Sequence, residues 1–261
     1  MTRKAPSSSP VVWSAADLAA DPHRASDKDR RVQRMFAAIA PRYDLNNRVH
    51  SLWRDQAWRR RAVRLCRVQP TDHVLDVACG TGDLAAAFAA AGPARICGVD
   101  FTAEMIEIAR RKARRRRGTG DRLSPEYVLG DAMALPFADA SFDIVSIAFG
   151  IRNVSDPRRA LDELRRVLRA GGRLIVLEFS EPANPVLRLL NGVYCGHIMP
   201  LTAALLAGDR TGAYRYLPRS VATFADRRQL VAMMTDAGFD DITQHSMTFG
   251  ICVGYLGHVR D

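Results

Sequence analysis

The stretch Val74-Leu75-Asp76-Val77-Ala78-Cys79-Gly80-Thr81-Gly82-Asp83 decides how this chain folds. An apolar, β-branched run enters Gly-x-Gly, and a helical pattern opens at once behind it. Two glycines in that place permit a tight turn and let the backbone approach a ligand at a helix N-terminus. Twenty positions beyond Gly80, a second apolar run ends in Gly98-Val99-Asp100, and a third ends in Gly130-Asp131-Ala132. Outward from this centre, residues 73–77, 95–99, 126–129, 142–148 and 173–179 read as strands. Helical patterns at 83–91, 102–116 and 156–169 separate them, the last opened by Asp156-Pro157 and closed by Gly171-Gly172. Alternation of this kind specifies a doubly wound α/β fold with a mostly parallel sheet. A helix over 227–237 and two strands near 242–247 and 251–258 complete it, the final strand antiparallel.

Three strand ends that each carry an aspartate, beside one Gly-x-Gly, form a nucleoside-binding edge. The dinucleotide pattern wants a third glycine where Ala85 stands, and Asp76 with Asp83 would repel a pyrophosphate. The zwitterionic methionine tail of S-adenosylmethionine meets no such repulsion. The residues therefore favour that methyl donor and a class I, Rossmann-like methyltransferase fold. Asp76 is expected to hold the donor's ammonium and Asp100 its ribose hydroxyls. Asp131 is expected at the adenine amino group, with Leu135-Pro136-Phe137 covering the base, while Gly80 and Gly82 allow close approach.

The chain has 261 residues, 48% of them apolar, and a formal charge of +10. Only Lys4, Lys28 and Lys112 are lysines, so the basic excess is arginine spread along the whole chain. Such a surface attracts polyanions without choosing among them. Cys66, Cys79, Cys97, Cys195 and Cys252 lack metal-ligand spacing and read as free thiols of a reducing compartment, with no metal expected. Residues 1–28 lack an apolar signal core and read as a disordered tail with a short anchored piece around Trp13; 29–261 read as one methyltransferase domain. Within it, 29–68 form two amphipathic helices placed to cap the carboxyl edge of the sheet, and 185–212 form an apolar insertion. Residues 189–208 carry no charge and suit a bilayer span in length, but Pro200, His197 and three glycines interrupt them. A buried or interfacial helix is the expected form.

Four blocks resemble the ubiquinone/menaquinone biosynthesis C-methyltransferases, the UbiE/MenG family, over roughly residues 32–258. The first is Phe36-x-x-Ile39-Ala40-x-x-Tyr43-Asp44-x-x-Asn47 with Ser51 and Trp58, the second Ala148-Phe149-Gly150-Ile151-Arg152-Asn153-Val154. The third is Arg166-Val167-Leu168-Arg169-Ala170-Gly171-Gly172 followed by Leu177-Glu178-Phe179-Ser180. The last joins Tyr214-x-Tyr216-Leu217-x-x-Ser220, Phe224, Gly238-Phe239 and Thr248-x-Gly250-Ile251. Asn46, His50, Asp55 and Ala170 depart from the usual pattern, and Ala148 stands where ubiquinone-pathway relatives tend to carry Ser. The resemblance implies donor contacts at Thr81, Asp100, Asp131 and Ala132, and methylation of a ring carbon of a polyprenylated hydroquinone. Ala148 tilts the expected acceptor towards demethylmenaquinol; the ubiquinone-pathway benzoquinol is the alternative.

Methylation at carbon needs an electron-rich ring, and ionising an adjacent phenol of pKa ~10 supplies one. Arg152 and Asn153 follow the fourth strand and are the expected catalytic pair, Arg152 stabilising the phenolate and Asn153 fixing its hydroxyl. Tyr43 and Asp44 would close the cap, and His197 is a candidate base. An isoprenoid acceptor fits a cytoplasmic protein in peripheral contact with an anionic membrane surface, the 189–208 stretch forming an apolar entrance. A nucleic-acid methyltransferase is the rival suggested by Arg114–Arg117. The fourth strand lacks the Asn/Asp-Pro-Pro-aromatic turn that stacks a flipped base, so no nucleic-acid partner is expected. Other small-molecule methyltransferases and a non-catalytic binding module are the remaining alternatives; intact Gly80, Gly82, Asp100 and Asp131 argue against the module.

Overall fold

The computed structural model describes residues 11–117, 123–199, 201–202 and 211–260. Its seven strands are β1 (His73–Val77), β2 (Arg95–Asp100), β3 (Glu126–Leu129), β4 (Phe142–Ala148), β5 (Leu168–Phe179), β6 (Asp240–Met247) and β7 (Cys252–His258). They form one sheet in the order β3-β2-β1-β4-β5-β7-β6. β1 to β5 pair in parallel, and β7 runs antiparallel between β5 and β6. The order reverses beside β1, which opens the crevice where doubly wound sheets bind ligands. The expected fold class holds, down to the antiparallel final strand.

Both faces of the sheet are covered, which is why its central strands read as unbroken apolar runs. Val74, Ile144 and Ile175 face one way, packed with Trp58, Ala62 and Phe88. Leu75, Val145 and Leu174 face the other, packed with Leu161, Leu164 and Leu230. Helix 157–167 opens as expected, with the Asp156 carboxylate accepting from the backbone N–H groups of Arg158 and Arg159. It ends earlier than the glycine pair suggested. Leu168 already pairs with Phe142 of β4, and the next paired residue is Arg173, opposite Ile144. Gly171, with φ +67°, takes a left-handed conformation inside this bulge, and the Gly171–Gly172 backbone bonds Val259.

Before the sheet, helices Lys28–Ile39, Tyr43–Ser51 and Arg54–Leu65 form the cap. The expected tail is ordered over residues 11–28. Trp13 is fully buried and stacks on Tyr216 at 4.7 Å, while Ser14 and Asp17 form a capping box on helix Ala15–Ala19. A buried indole with an aromatic partner outweighs the ordering cost of so short a segment, despite its polar composition. Residues 1–10 of the expected tail lie outside the described residues.

The apolar insertion begins with helix Pro185–Val193 and continues through a wider π-helical turn at Tyr194–Ile198. Residue 200 and residues 203–210 of this stretch lie outside the described residues. Among the described residues no helix is long and apolar enough to cross a membrane. Val186, Leu189, Leu190, Val193, Ile198 and Leu201 are all exposed, so the described part presents an apolar face to solvent rather than burying it. All five cysteines are free, and four of them are buried.

Candidate active site

The glycine loop is held from beneath by the next strand. Asp100, at the end of β2, accepts the Gly80 N–H through Oδ2 (2.8 Å) and the Thr102 N–H through Oδ1 (2.9 Å). One carboxylate thus fixes two loops, and burial pushes its pKa up while those N–H bonds oppose the rise. Gly80, at φ +55°, takes the left-handed conformation its turn requires. Gly82, at φ +81°, is also left-handed and stands outside the lining of the cleft above the loop. A Cβ there would collide with the Tyr127 hydroxyl, which reaches across from β3.

Above the loop lies a cleft that opens to solvent. Gly80, Asp100, Asp131 and Ala132 line it, as the sequence led us to expect, together with Phe101, Met105 and Met133. Asp131 accepts the Met133 N–H through Oδ1, which sets the turn after β3. Leu135-Pro136-Phe137 are absent from the lining. Leu135 is buried in the core and Phe137 packs edge-on against Phe142, because the turn carries the chain back under helix 157–167. Phe36 and Tyr43 of the cap roof the cleft, with Asp29 at its margin.

Asp76 and Thr81 stand outside this lining. Asp76 is buried, accepts from Ser146 through Oδ1 (2.8 Å), and leaves Oδ2 without a partner. Burial raises its pKa to about 7. The Thr81 hydroxyl donates to Asp44 of the cap, and Lys112 bridges Asp44 (2.7 Å) and Asp83. Arg48 joins the same cluster through Asp83 (3.0 Å). Burial alone would raise the Asp83 carboxyl, but Lys112 and the arginines override it and hold its pKa low. Thr81 and Asp44 therefore latch the cap to the glycine loop.

The opposite wall is the turn after β4: Ala148, Phe149, Gly150, Asn153 and Val154. Gly150 is required here, since a Cβ would lie 2.6 Å from that of Ala78. Asn153 donates to the Phe149 carbonyl (3.0 Å) and accepts from the Tyr216 hydroxyl (3.0 Å), so its amide is fixed. Arg152 is buried and does not line the cleft. It pairs with Glu178 (2.6 Å) and donates to the Phe149 carbonyl (2.8 Å). Its charge is compensated there, which differs from the free cation expected beside a phenolate. Burial raises the Glu178 pKa against the pull of Arg152. Lys28 reaches the same turn from the cap, donating to the carbonyls of Arg152 (2.9 Å) and Val154 (2.6 Å). Desolvation lowers its pKa to about 8.

Glu178, Tyr216 and Lys28 are the residues that sequence reasoning missed. Each left a signal: an acid at the end of an apolar strand, a tyrosine inside a family block, and a lysine in an arginine-rich chain. His197 is exposed and lies outside the cleft lining, so it is not placed to act as a base there. Among the described residues no cluster of His, Cys, Asp or Glu could hold a metal ion.

Comparisons with known proteins fit this geometry. The model of the ubiE/COQ5 methyltransferase family matches residues 24–259. Over 224 residues the chain is 46% identical to the demethylmenaquinone methyltransferase of Thermus thermophilus, covering 85% of this chain and 99% of that one. It is 44% identical over 235 residues to the enzyme of the same name from Deinococcus radiodurans (90% and 95% covered). A ubiquinone/menaquinone biosynthesis C-methyltransferase UbiE from a Geobacter species is 44% identical over 234 residues (89% and 97%). Among solved structures, a Thermotoga maritima S-adenosylmethionine-dependent methyltransferase aligns with a TM-score of 0.59 at 21% identity (87% and 99% covered). A putative methyltransferase in complex with the Haloferax volcanii Trm112 methyltransferase activator aligns at 0.61 and 19% (87% and 98%). These two likenesses show the fold.

Proposed function

The chain belongs to the ubiE/COQ5 methyltransferase family, and from that premise we propose that it methylates a ring carbon of a polyprenylated hydroquinone, demethylmenaquinol foremost. The observation that carries this reading is the convergence of Gly80, Asp100, Asp131 and Ala132 on one cleft beneath the cap. In this reading Asp100 accepts from the ribose hydroxyls and Asp131 from the adenine amino group, and Phe101, Met105 and Met133 supply apolar surface for a base. The unpartnered Oδ2 of Asp76, behind the loop, adds a negative centre suited to a cationic tail. These residues fit S-adenosylmethionine, whose sulfonium supplies an activated methyl group when bound.

On the acceptor side, the wall made by Phe149 and Asn153 is apolar and aromatic with one fixed amide. Phe149 stacks near Phe179 (4.6 Å) and Trp58 (6.0 Å), a surface suited to a flat ring. Burial raises the Tyr43 pKa, so this hydroxyl stays protonated and able to donate to a phenolate oxygen. Asn153 is the second polar group for that oxygen, oriented by Tyr216. Arg152 then acts as a positioning residue: through Phe149 and Glu178 it sets the shape of the wall. Ala148, which stands where ubiquinone-pathway relatives tend to carry Ser, lines the cleft, and that departure tilts our reading towards demethylmenaquinol over the ubiquinone-pathway benzoquinol.

The acceptor's isoprenoid tail also accounts for the exposed apolar face of helix Pro185–Val193. Leu189 is 69% exposed and Phe249, at a left-handed turn between β6 and β7, 79%. We take this face to contact an anionic membrane surface peripherally, with Arg188 on the same helix. The test of function offers the purified protein S-adenosylmethionine with reduced demethylmenaquinone and the reduced benzoquinone in parallel, read by mass spectrometry. One added methyl on demethylmenaquinol is the expected result; methylation of the benzoquinol alone would overturn the choice of acceptor. Flotation with anionic liposomes tests the membrane contact, and an unbound protein at low salt would contradict it.

A further inference from the structure

The first residue of helix Lys28–Ile39 is a lysine, 2% exposed, at the end of the helix where the backbone dipole disfavours a cation. Burial disfavours the charge as well. Among the described residues no carboxylate forms an ion pair with it; Asp21 favours the charge from further off and Arg152 opposes it. Helix stability therefore does not account for this lysine. Its contacts do. Nζ donates to the carbonyls of Arg152 (2.9 Å) and Val154 (2.6 Å), the residues on either side of Asn153. These carbonyls lie at the C-terminal end of the short 3-10 helix Ile151–Asn153, where no further turn is left to use them. One ammonium serves both, since it carries three donors on a single atom.

The segment before Lys28 reaches Asn153 from another side. Trp13 stacks on Tyr216, whose hydroxyl donates to Oδ1 of Asn153. His23 bonds the Ser220 carbonyl (2.9 Å) on the same helix, Ala213–Thr223. Beyond Lys28, its own helix spans the cleft: Gln33 donates to the Phe101 carbonyl (2.8 Å) on the donor side, and Phe36 lies in the roof. Asn153 is thus held through its side chain by Tyr216 and through its flanking backbone by Lys28. We propose that Lys28 is a positioning residue of the acceptor site: by gripping the carbonyls on both sides of Asn153, it fixes the angle at which that amide meets the acceptor's oxygen. This rests on the reading of Asn153 as a polar contact of the acceptor and extends it to a residue that touches no ligand. A shift of about 1 Å in such a contact is enough to cost about a hundredfold in rate.

The test is a double-mutant cycle of Lys28→Met and Asn153→Ala. Turnover is measured at saturating demethylmenaquinol and S-adenosylmethionine, beside S-adenosylhomocysteine affinity by calorimetry and stability by urea unfolding. Lys28→Met should lower turnover about tenfold to a hundredfold and leave S-adenosylhomocysteine affinity within about twofold of wild type. Asn153→Ala should lower turnover by at least as much. With Asn153 already replaced, Lys28→Met should lower turnover by less than about twofold further, because the group it positions is gone, while its cost in urea unfolding persists. Lys28→Gln, whose amide still donates to the turn, carries the same cycle with a smaller loss if Lys28→Met folds poorly. A lysine that only holds the cap in place would lower turnover by the same factor with and without Asn153, and that result would overturn the inference. So would wild-type turnover in Lys28→Met, or a loss of S-adenosylhomocysteine affinity that matches the loss of turnover. Wild-type turnover in Asn153→Ala would overturn the reading of Asn153 itself, and the inference with it.

Discussion

The two walls of the cleft are built by opposite means. On the glycine-loop side, carboxylates at strand ends hold backbone N–H groups: Asp100 holds Gly80 and Thr102, and Asp131 holds Met133. On the acceptor side, the turn Phe149–Val154 is held by side chains from distant segments: Glu178, Tyr216, Ser220 and Lys28. A wall made of backbone–carboxylate bonds rests on a few strand ends and is expected to tolerate changes elsewhere. A wall made of buried long-range polar pairs fails when any partner is lost, because the survivor is left unpaired.

The largest effect should follow from breaking the acceptor wall. Arg152→Ala strands Glu178 as a buried carboxylate and should cost about 3–5 kcal/mol of stability in urea unfolding. Replacing the pair together, Arg152→Met with Glu178→Leu, should recover most of that loss; a single variant as stable as wild type would show that the pair contributes little. Asp100→Ala attacks the donor wall, removing acceptors for two loop N–H groups and for the ribose. S-adenosylhomocysteine affinity should fall about a hundredfold by calorimetry. A change below about threefold would mean that Asp100 serves the loop and not the ligand.

Proton linkage gives a subtler contrast. Asp76 has a folded pKa raised to about 7 from 3.8, so the free protein holds this proton where the unfolded chain has released it. Its contribution to stability therefore falls as pH rises from about 4 to about 7. A cationic donor tail favours the ionised form, so donor affinity should rise between about pH 6 and 8, by at most about tenfold per unit. Calorimetry in buffers of different ionisation enthalpy should detect the released proton; affinity flat across this range would detach Asp76 from the ligand. The smallest expected effect is that of Tyr216→Phe, which removes the hydrogen bond orienting Asn153. Turnover should drop several-fold, for about 1 kcal/mol, with S-adenosylhomocysteine affinity unchanged. Loss of both together would contradict the separation of the two walls.

The same contrast explains what the sequence made legible. Strands β1 to β4 and the glycine loop announce themselves through apolar runs, glycines and terminal aspartates, all within a few residues of one another. The convergence of Gly80, Asp100, Asp131 and Ala132 on one cleft was therefore readable, and so was the sheet with its antiparallel last strand. Thr81 and Gly82 were readable as special positions, but not as a latch to Asp44 and a seat for Tyr127. Those partners lie 37 and 45 residues away. Arg152 was singled out by its place after β4, yet its neutralisation by Glu178 depends on a strand pairing that no local pattern encodes. The anchored piece around Trp13 was legible, but its partner Tyr216 was not, since it comes two hundred residues later.

The most direct measurement is a single turnover with S-adenosylmethionine labelled with isotope in its methyl group and reduced demethylmenaquinone, the product resolved by tandem mass spectrometry. The labelled methyl should appear on the quinone ring carbon, with none on the hydroxyl oxygens. Label on oxygen, or none in the quinone while S-adenosylhomocysteine still binds the protein, would contradict methylation at ring carbon.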